Sequence, residues 1–307
     1  MKTVLVATEK PFAGIAVNQI RDIIQQAGYE LRLLEKYTGT EALLKAVEDA
    51  DALIVRSDNV TSQVLEAARK LQIVVRAGAG YDNIDLAAAT KKGVVAMNTP
   101  GQNSNAVAEL AFGMMIYMAR TRFGGGSGTE LMGKTLGLHA FGFVGKRMAA
   151  IAQGFGMTVY AFDPFIDKMD FKKAGVIEVS DLKELYKKCQ YISLHMPANE
   201  KTKKSINLDL LSLMPRGAVI VNTARKEVID EESLMKMFAE RADFVYITDV
   251  EPERHKELDE KFKSRYFVTP KKMGAQTEEA NINAGVAAAR QIVRFFEHND
   301  RTFQVNK

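Results

Sequence analysis

Cysteine occurs once in the 307 residues, at Cys189, which excludes an intrachain disulfide framework and any thiolate metal cluster built within one chain. Its neighbours, KKCQYISL, place it just ahead of an apolar strand, where a buried structural role is expected. Histidine is scarce too: His139, His195, His255 and His298 are scattered without close ligand spacing, so no metal site is expected. Long hydrophobic runs are missing, since stretches such as Ala111 to Ala119 fall far short of the ~20 residues a membrane span needs. The opening MKTVLVATEK runs straight into a short apolar strand and lacks the small-residue cleavage signature of a secretory signal. A cytoplasmic setting with no membrane partner is therefore expected. Nor is there a long basic run or an interleaving of basic and aromatic residues. Lys and Arg number 42 against 38 Asp and Glu, a net charge of +4 that suits a small anion and gives no footprint for nucleic acid.

What is present is an alternation. Hydrophobic residues make up 47% and charged residues 26%, a globular composition, and the length suffices for two domains with separate cores. Apolar, β-branched runs at Thr3 to Ala7, Ala52 to Arg56, Ile73 to Arg76 and Val94 to Met97 predict strands. Helical patterns at Val17 to Gln26, Glu41 to Glu48 and Thr61 to Arg69 lie between them. Strands without polar alternation, separated by amphipathic helices, imply a mostly parallel sheet covered on both faces. A strongly apolar helix is predicted from Asn105 to Arg120, its methionines and Phe112 assigned to packing between domains, and RFGGGSGTE then reads as an exposed or mobile connection.

The rhythm restarts with six predicted strands: Thr135 to His139, Thr158 to Phe162, Tyr191 to His195, Ala218 to Asn222, Phe244 to Thr248 and Tyr266 to Val268. A last helix, Glu278 to Glu297, begins after Thr277 with two acids in its first turn and comes too late for the second sheet. The expected fold class is α/β with two domains. Residues 99–274 form a doubly wound, Rossmann-like dinucleotide-binding domain, and residues 1–98 form a smaller flavodoxin-like α/β domain completed by the C-terminal helix within 275–307.

The segment LGLHAFGFVG contains Ala140-Phe141-Gly142-Phe143-Val144-Gly145, a GxGxxG fingerprint with alanine in the first glycine position. Gly142 would let the backbone approach a pyrophosphate, Gly145 would let the following helix pack on the strand, and the helix N-terminus would offer amide donors. Ala140 narrows the turn where glycine is normally wanted. After a second strand, TVYAF, comes Asp163, 21 residues beyond Gly142. A carboxylate there accepts both adenosine ribose hydroxyls and repels a 2′-phosphate, so the expected cofactor is NAD rather than NADP. A flavin protein would share the fingerprint. Hydride transfer between a nicotinamide and a substrate also needs an anion-binding arginine and a proton donor or acceptor in the same cleft. Arg225 follows the predicted strand Ala218 to Asn222, and Asp249 and Glu251 follow Phe244 to Thr248, positions where such sheets bind ligands.

At this point the chain resembles the D-isomer-specific 2-hydroxyacid dehydrogenases, and within them the D-3-phosphoglycerate dehydrogenases that lack a C-terminal regulatory domain. The resemblance rests on VRS at Val55 to Ser57, RAGAGYDNID at Arg76 to Asp85, NTPGQNSNAVAEL at Asn98 to Leu110, the glycine loop, SLHMPANEKTKKSI at Ser193 to Ile206, LMPRGAVIVNTARKEVID at Leu213 to Asp230, and TPKKMGAQTEEAN at Thr269 to Asn281. It implies that Gly78, Ala79 and Gly80 offer backbone to the substrate carboxylate, with Arg56 and Asn103 nearby. His195, Pro197, Thr223, Ala224, Asp249 and Gly274 would border the cofactor, and Arg225 would clamp the substrate carboxylate and carbonyl oxygen with a fork that stays charged.

The family's acid/base position usually holds a histidine paired with a glutamate, and here it holds Lys272, with Lys271 as the alternative if the register slips by one. A protonated lysine is a competent acid for carbonyl reduction. As a base for alcohol oxidation it must be neutral, against a reference pKa of roughly 10.4. The glutamate is displaced as well: DVEPERHKEL makes Glu251 the best partner, with Glu253 and His255 weaker, and His195 lies too early in the chain to serve as the base. The family's tryptophan-containing subunit segment has no counterpart, since the chain has no tryptophan, while the long helix after Val107 still fits a homodimer.

The resemblance implies a small anionic 2-hydroxy acid or 2-keto acid substrate, 3-phosphoglycerate first. Glyoxylate or hydroxypyruvate reduction and D-lactate oxidation are the competing activities. A non-catalytic NAD-sensing role is the alternative of another class, supported by the missing histidine.

Overall fold

The computed structural model describes residues 1–306. The chain divides into two compact units, Met1–Asn103 with Gln276–Lys307, and Ser104–Ala275. In unit 1 the strands are β1 (Thr3–Thr8), β2 (Glu30–Glu35), β3 (Ala52–Val55), β4 (Ile73–Arg76) and β5 (Val95–Asn98). Its helices are α1 (Gly14–Gln26), α2 (Thr40–Val47), α3 (Ser62–Ala67), α4 (Leu86–Lys91) and, from the far end of the chain, α12 (Glu278–His298). The sheet is parallel in the order β2-β1-β3-β4-β5, the flavodoxin-like order.

Every residue of β1, β3 and β5 is buried, which is why these strands read as unbroken apolar runs. β2 escaped that reading for a physical reason: ELRLLE mixes charge with leucine because it is an edge strand, half-buried and paired only with β1. On one face of the sheet Ile20 and Ile24 of α1 meet Ala288 and Ile292 of α12; on the other Leu43, Val64 and Ala89 line the core. Each fully buried leucine or isoleucine contributes roughly 1.5–3 kcal/mol.

α12 starts where Thr277 accepts a hydrogen bond from the Ala280 amide at 3.1 Å and stops at Asn299, left-handed with φ 52°. The tail then covers the free edge of β5. Gln304 bridges Met97 in antiparallel sense, and the Asn306 side chain accepts from Ala96 N at 2.7 Å and donates to Val94 O at 2.9 Å.

Unit 2 opens with α5 (Ser104–Ala119) and continues β6 (Thr135–His139), α6 (Phe143–Gly154), β7 (Thr158–Phe162), α7 (Lys168–Lys173), β8 (Ile177–Glu178), α8 (Leu182–Lys188), β9 (Tyr191–Leu194), α9 (Leu208–Leu211), β10 (Val219–Asn222), α10 (Glu231–Glu240), β11 (Val245–Thr248), α11 (His255–Phe262) and β12 (Tyr266–Val268). Its parallel sheet runs β12-β11-β10-β9-β6-β7-β8, so the strand order reverses between β6 and β9, the switch point of a doubly wound fold. The strand missed by the sequence, β8, is two exposed residues at the sheet edge. The missed helices α7 and α11 are short and strongly charged.

The apolar side chains of α5 fill unit 2's own core, which replaces the expectation of packing between domains. Phe112 stacks on Phe155 at 5.2 Å, and Met114 and Met115 join Met148 of α6. The connection after α5 is exposed, as expected, and anchored at both of its ends. Thr121, Arg122 and Phe123 are consecutively left-handed, the Arg122 guanidinium donates to Lys263 O and Tyr266 O, and Thr129 N donates to Ala119 O at 2.8 Å. Among the described residues, no helix is long and apolar enough to cross a membrane.

Candidate active site

The glycine loop joins β6 to α6 beside the switch point. Ala140, in the first glycine position, is left-handed at φ 81°, a conformation that costs an alanine roughly 1–2 kcal/mol. Its amide is held by Phe162 O at 2.9 Å, so the turn is fixed to the end of β7 despite the methyl group. A Cβ on Gly145 would lie 2.6 Å from Ala140 O, so only glycine lets α6 approach this turn. A Cβ on Gly142 would meet nothing within 4 Å: the space over the turn is open to a ligand. Gly142 caps α6 without a side chain, and the amides of Phe143 and Val144 precede the helix's first internal bond, from Lys146 N to Gly142 O.

Asp163 stands at the end of β7. Its Oδ2 accepts from Phe141 N at 2.8 Å and its Oδ1 from Phe165 N at 3.0 Å. Half-buried and pinned by two amides, the carboxylate keeps lone pairs for a further donor.

Beyond β9 the His195 amide donates to His139 O at 3.0 Å, and the His139 ring nitrogen Nδ1 bonds the buried Tyr186 hydroxyl at 3.2 Å. Burial pushes both imidazoles down to about 3, so both are neutral at physiological pH. Pro197 follows, exposed. At the end of β10 the buried Asn222 side chain shapes the next turn, accepting from Ala224 N at 3.0 Å and donating to Arg225 O at 3.0 Å. Asn222 was missed as a site-building residue. Its signal was a lone amide ending the run VIVN.

Asp249, 1% exposed after β11, accepts with Oδ2 from Gly274 N at 2.8 Å and Met273 N at 3.2 Å. It thereby ties the TPKKMG segment to the sheet.

The segments that follow β10, β11 and β12 line a cavity of about 230 Å³ that includes Arg225, Lys226, Asp249, Glu251, Lys271 and Lys272. The three proposed catalytic side chains, Arg225, Glu251 and Lys272, thus share one cavity, and Lys271 lines it too. Four basic and three acidic residues contribute to its wall, a net positive setting for an anion. The weaker partners lie in other contacts: Glu253 pairs with Lys226 at 3.4 Å, and His255 Nδ1 bonds the Tyr266 hydroxyl at 3.0 Å.

The residues expected to face the substrate follow strand ends of unit 1. The Arg56 guanidinium donates to Lys10 O and Pro11 O, both at 3.0 Å, and to Asn281 Oδ1 at 2.5 Å, and it lies over the Phe12 ring. Gly78 has φ 151°, and a Cβ there would fall 1.5 Å from Arg76 Nη1, so the arginine lies directly on the glycine. Ala79 O accepts from Asn98 Nδ2 at 2.6 Å, Gly80 is half-buried, and Asn103 is half-buried just before α5. Sequence reading passed over Asp58, whose buried carboxylate accepts from Glu9 N at 2.7 Å and the Tyr37 hydroxyl at 2.8 Å; the signal was an acid directly after VRS.

Three buried polar atoms at the strand ends of unit 2, His195 Nε2, Thr223 Oγ1 and Asp249 Oδ1, have no hydrogen-bond partner among the described residues. With the open Gly142 turn and the pinned Asp163, this donor and acceptor set fits a dinucleotide.

Residues 106–270 match the NAD binding domain of the D-isomer specific 2-hydroxyacid dehydrogenases. An NAD+-bound 3-phosphoglycerate dehydrogenase of Entamoeba histolytica has a similar structure, with a TM-score of 0.86 and 49% identity, covering 100% of this chain and 99% of that one. A D-3-phosphoglycerate dehydrogenase of Methanocaldococcus jannaschii is 39% identical over 272 residues, 82% of this chain and 51% of that protein. A hydroxypyruvate reductase of Thermotoga maritima is 36% identical over 285 residues, 86% of this chain and 91% of that protein. The chain spans about half the length of the curated D-3-phosphoglycerate dehydrogenases it matches. With the fingerprint loop, the switch-point site and these alignments in agreement, the chain belongs to the D-isomer-specific 2-hydroxyacid dehydrogenase family and is closely related within it to short D-3-phosphoglycerate dehydrogenases.

Proposed function

We infer that the chain is an NAD-dependent D-3-phosphoglycerate dehydrogenase, oxidising 3-phosphoglycerate to 3-phosphohydroxypyruvate at the entry to serine synthesis. The observation that carries this reading is the single cavity joining Arg225, Glu251 and Lys272 beside the Asp249-held strand ends. The Entamoeba relative, matched over essentially its whole length, supports the choice of substrate.

NAD, when bound, supplies the hydride acceptor. Ala140 to Gly145, Asp163, His195, Pro197, Thr223, Ala224, Asp249 and Gly274 are the residues that would hold it. Arg225 binds the substrate carboxylate and C2 oxygen and stabilises negative charge developing on that oxygen. The family resemblance assigns further carboxylate contacts to Gly78, Ala79, Gly80 and Asn103. Arg56 holds the loop at Lys10 and Pro11 while adding positive charge.

Lys272 takes the C2 hydroxyl proton during oxidation and returns it during reduction. The two half-buried histidines are poor candidates for this work, since imidazoles held near 3 neither donate nor accept a proton efficiently at neutral pH. Positive charge from Arg225 favours neutral Lys272, and Glu251 favours the protonated form. The reading includes a homodimer in the cytoplasm.

Two measurements test it. Oxidation should rise into the alkaline range, where Lys272 is neutral. Lys272→Ala should lose at least about a hundredfold in rate together with that alkaline limb, as removal of a general acid/base does; a variant that keeps both overturns the lysine shuttle. Side-by-side NADH turnover should favour 3-phosphohydroxypyruvate over hydroxypyruvate, glyoxylate and pyruvate. Faster turnover of hydroxypyruvate would favour the activity named for the Thermotoga relative, whose length this chain nearly spans.

A further inference from the structure

A second cavity, of about 270 Å³, lies wholly within unit 1, between one stripe of α12, the Pro100 segment after β5 and Phe303 of the tail. Arg290 and Arg294 stand one turn apart on that stripe, both exposed. Between them in sequence is Gln291, only 8% exposed. Its Nε2 donates to Asn98 O at 3.0 Å, which fixes which end of the amide is which, and its Oε1 is buried with no hydrogen-bond partner among the described residues. A buried acceptor left unpaired is costly, and such groups usually have a donor. Val286, Ala287, Pro100 and Phe303 supply an apolar part of the wall, beside the polar Gln102 and Asn283. The acid that feels Arg294 is Asp300, whose carboxylate already accepts from Thr302 N at 2.9 Å and Thr302 Oγ1 at 2.6 Å.

We propose that this groove is a binding site for a small monocarboxylic acid bearing a hydrogen-bond donor on its second carbon and an apolar side chain, an α-amino acid or its hydroxy analogue. The carboxylate lies on the Arg290 and Arg294 guanidiniums, whose planar forks match it. The ammonium or hydroxyl donates to Gln291 Oε1, and the side chain packs on Val286, Pro100 and Phe303. The space accommodates roughly nine heavy atoms at about 30 Å³ each, the size of leucine. None of these residues belongs to the Arg225 cavity.

The experiment is calorimetric titration of the whole chain with L-leucine, L-2-hydroxyisocaproate and 4-methylpentanoate, the last lacking the donor. The parent should bind at least one of the first two saturably, and 4-methylpentanoate at least about tenfold more weakly, the value of one charge-assisted or buried hydrogen bond. Binding of leucine alone assigns the donor as ammonium; binding of the hydroxy acid alone assigns it as hydroxyl. Arg290→Ala/Arg294→Ala, two exposed positions whose folding is checked by thermal melting, should abolish the heat. Binding of neither acid, equal binding of 4-methylpentanoate, or undiminished heat in a folded double variant overturns the site.

Discussion

Two turns in unit 2 are built by the same device and used differently. The nucleotide turn at Ala140–Gly142 and the TPKKMG segment are each held by an aspartate that accepts two backbone amides, Asp163 from Phe141 and Phe165, Asp249 from Met273 and Gly274. Asp163 remains half-buried and open to a further donor, whereas Asp249 is 1% exposed and works as an internal strut. A carboxylate can therefore serve as ligand contact and scaffold together when water still reaches it, and mainly as scaffold when the fold closes over it.

The largest effect should come from the strut. Asp249→Ala removes the one oxygen that accepts from both Met273 N and Gly274 N, so the protein should lose about 3 kcal/mol of stability and at least a hundredfold in kcat/KM; urea unfolding and steady-state rates measure both. An unchanged unfolding midpoint would dissolve the contrast.

Asp163→Asn keeps one of the two accepting oxygens and turns an NH2 toward the other amide, so it should lose about 1 kcal/mol of stability while raising the KM for NAD about tenfold and narrowing the preference over NADP, because the charge is gone. A large stability loss with unchanged cofactor selectivity would make both aspartates struts.

The smallest effect concerns His139, on the strand entering the nucleotide turn, and His195 beside it. Their folded pKa values of about 3 lie below the ordinary 6.5, so the unfolded chain takes up protons that the folded chain refuses. Their contribution is fully present above pH 6.5 and is lost as pH falls toward 3, by at most about 1.4 kcal/mol per pH unit for each histidine. His139→Gln should flatten the slope between pH 6.5 and 5, a window above the carboxylate titrations; an unchanged slope there would show that the imidazole is not held neutral.

Much of this was legible in the chain. Buried parallel strands are mostly apolar, so β1, β3, β5 and β9 stood out, and the Gly142–Gly145 spacing implied the close turn that the 2.6 Å approach to Ala140 O requires. What escaped notice lay at edges or across space. β2 and β8 border solvent on one side and carry the charge that edge strands need, which erases the apolar signature. Three of the four aspartate bonds join residues 22 to 25 positions apart, beyond the reach of local periodicity. The resemblance identified Lys272 as the residue in the histidine position, but both Lys271 and Lys272 line the cavity, a convergence that only the folded strand ends reveal.

The packing of α12 on α1 carries a consequence in time. Residues Ser104–Ala275 form a contiguous unit inserted between the two parts of the other. As the chain leaves the ribosome, the inserted unit can close its core while Ile20 and Ile24 still await Ala288 and Ile292, made more than 260 positions later. During synthesis, therefore, the last region of the protein to lose its exposed apolar surface is the one begun first.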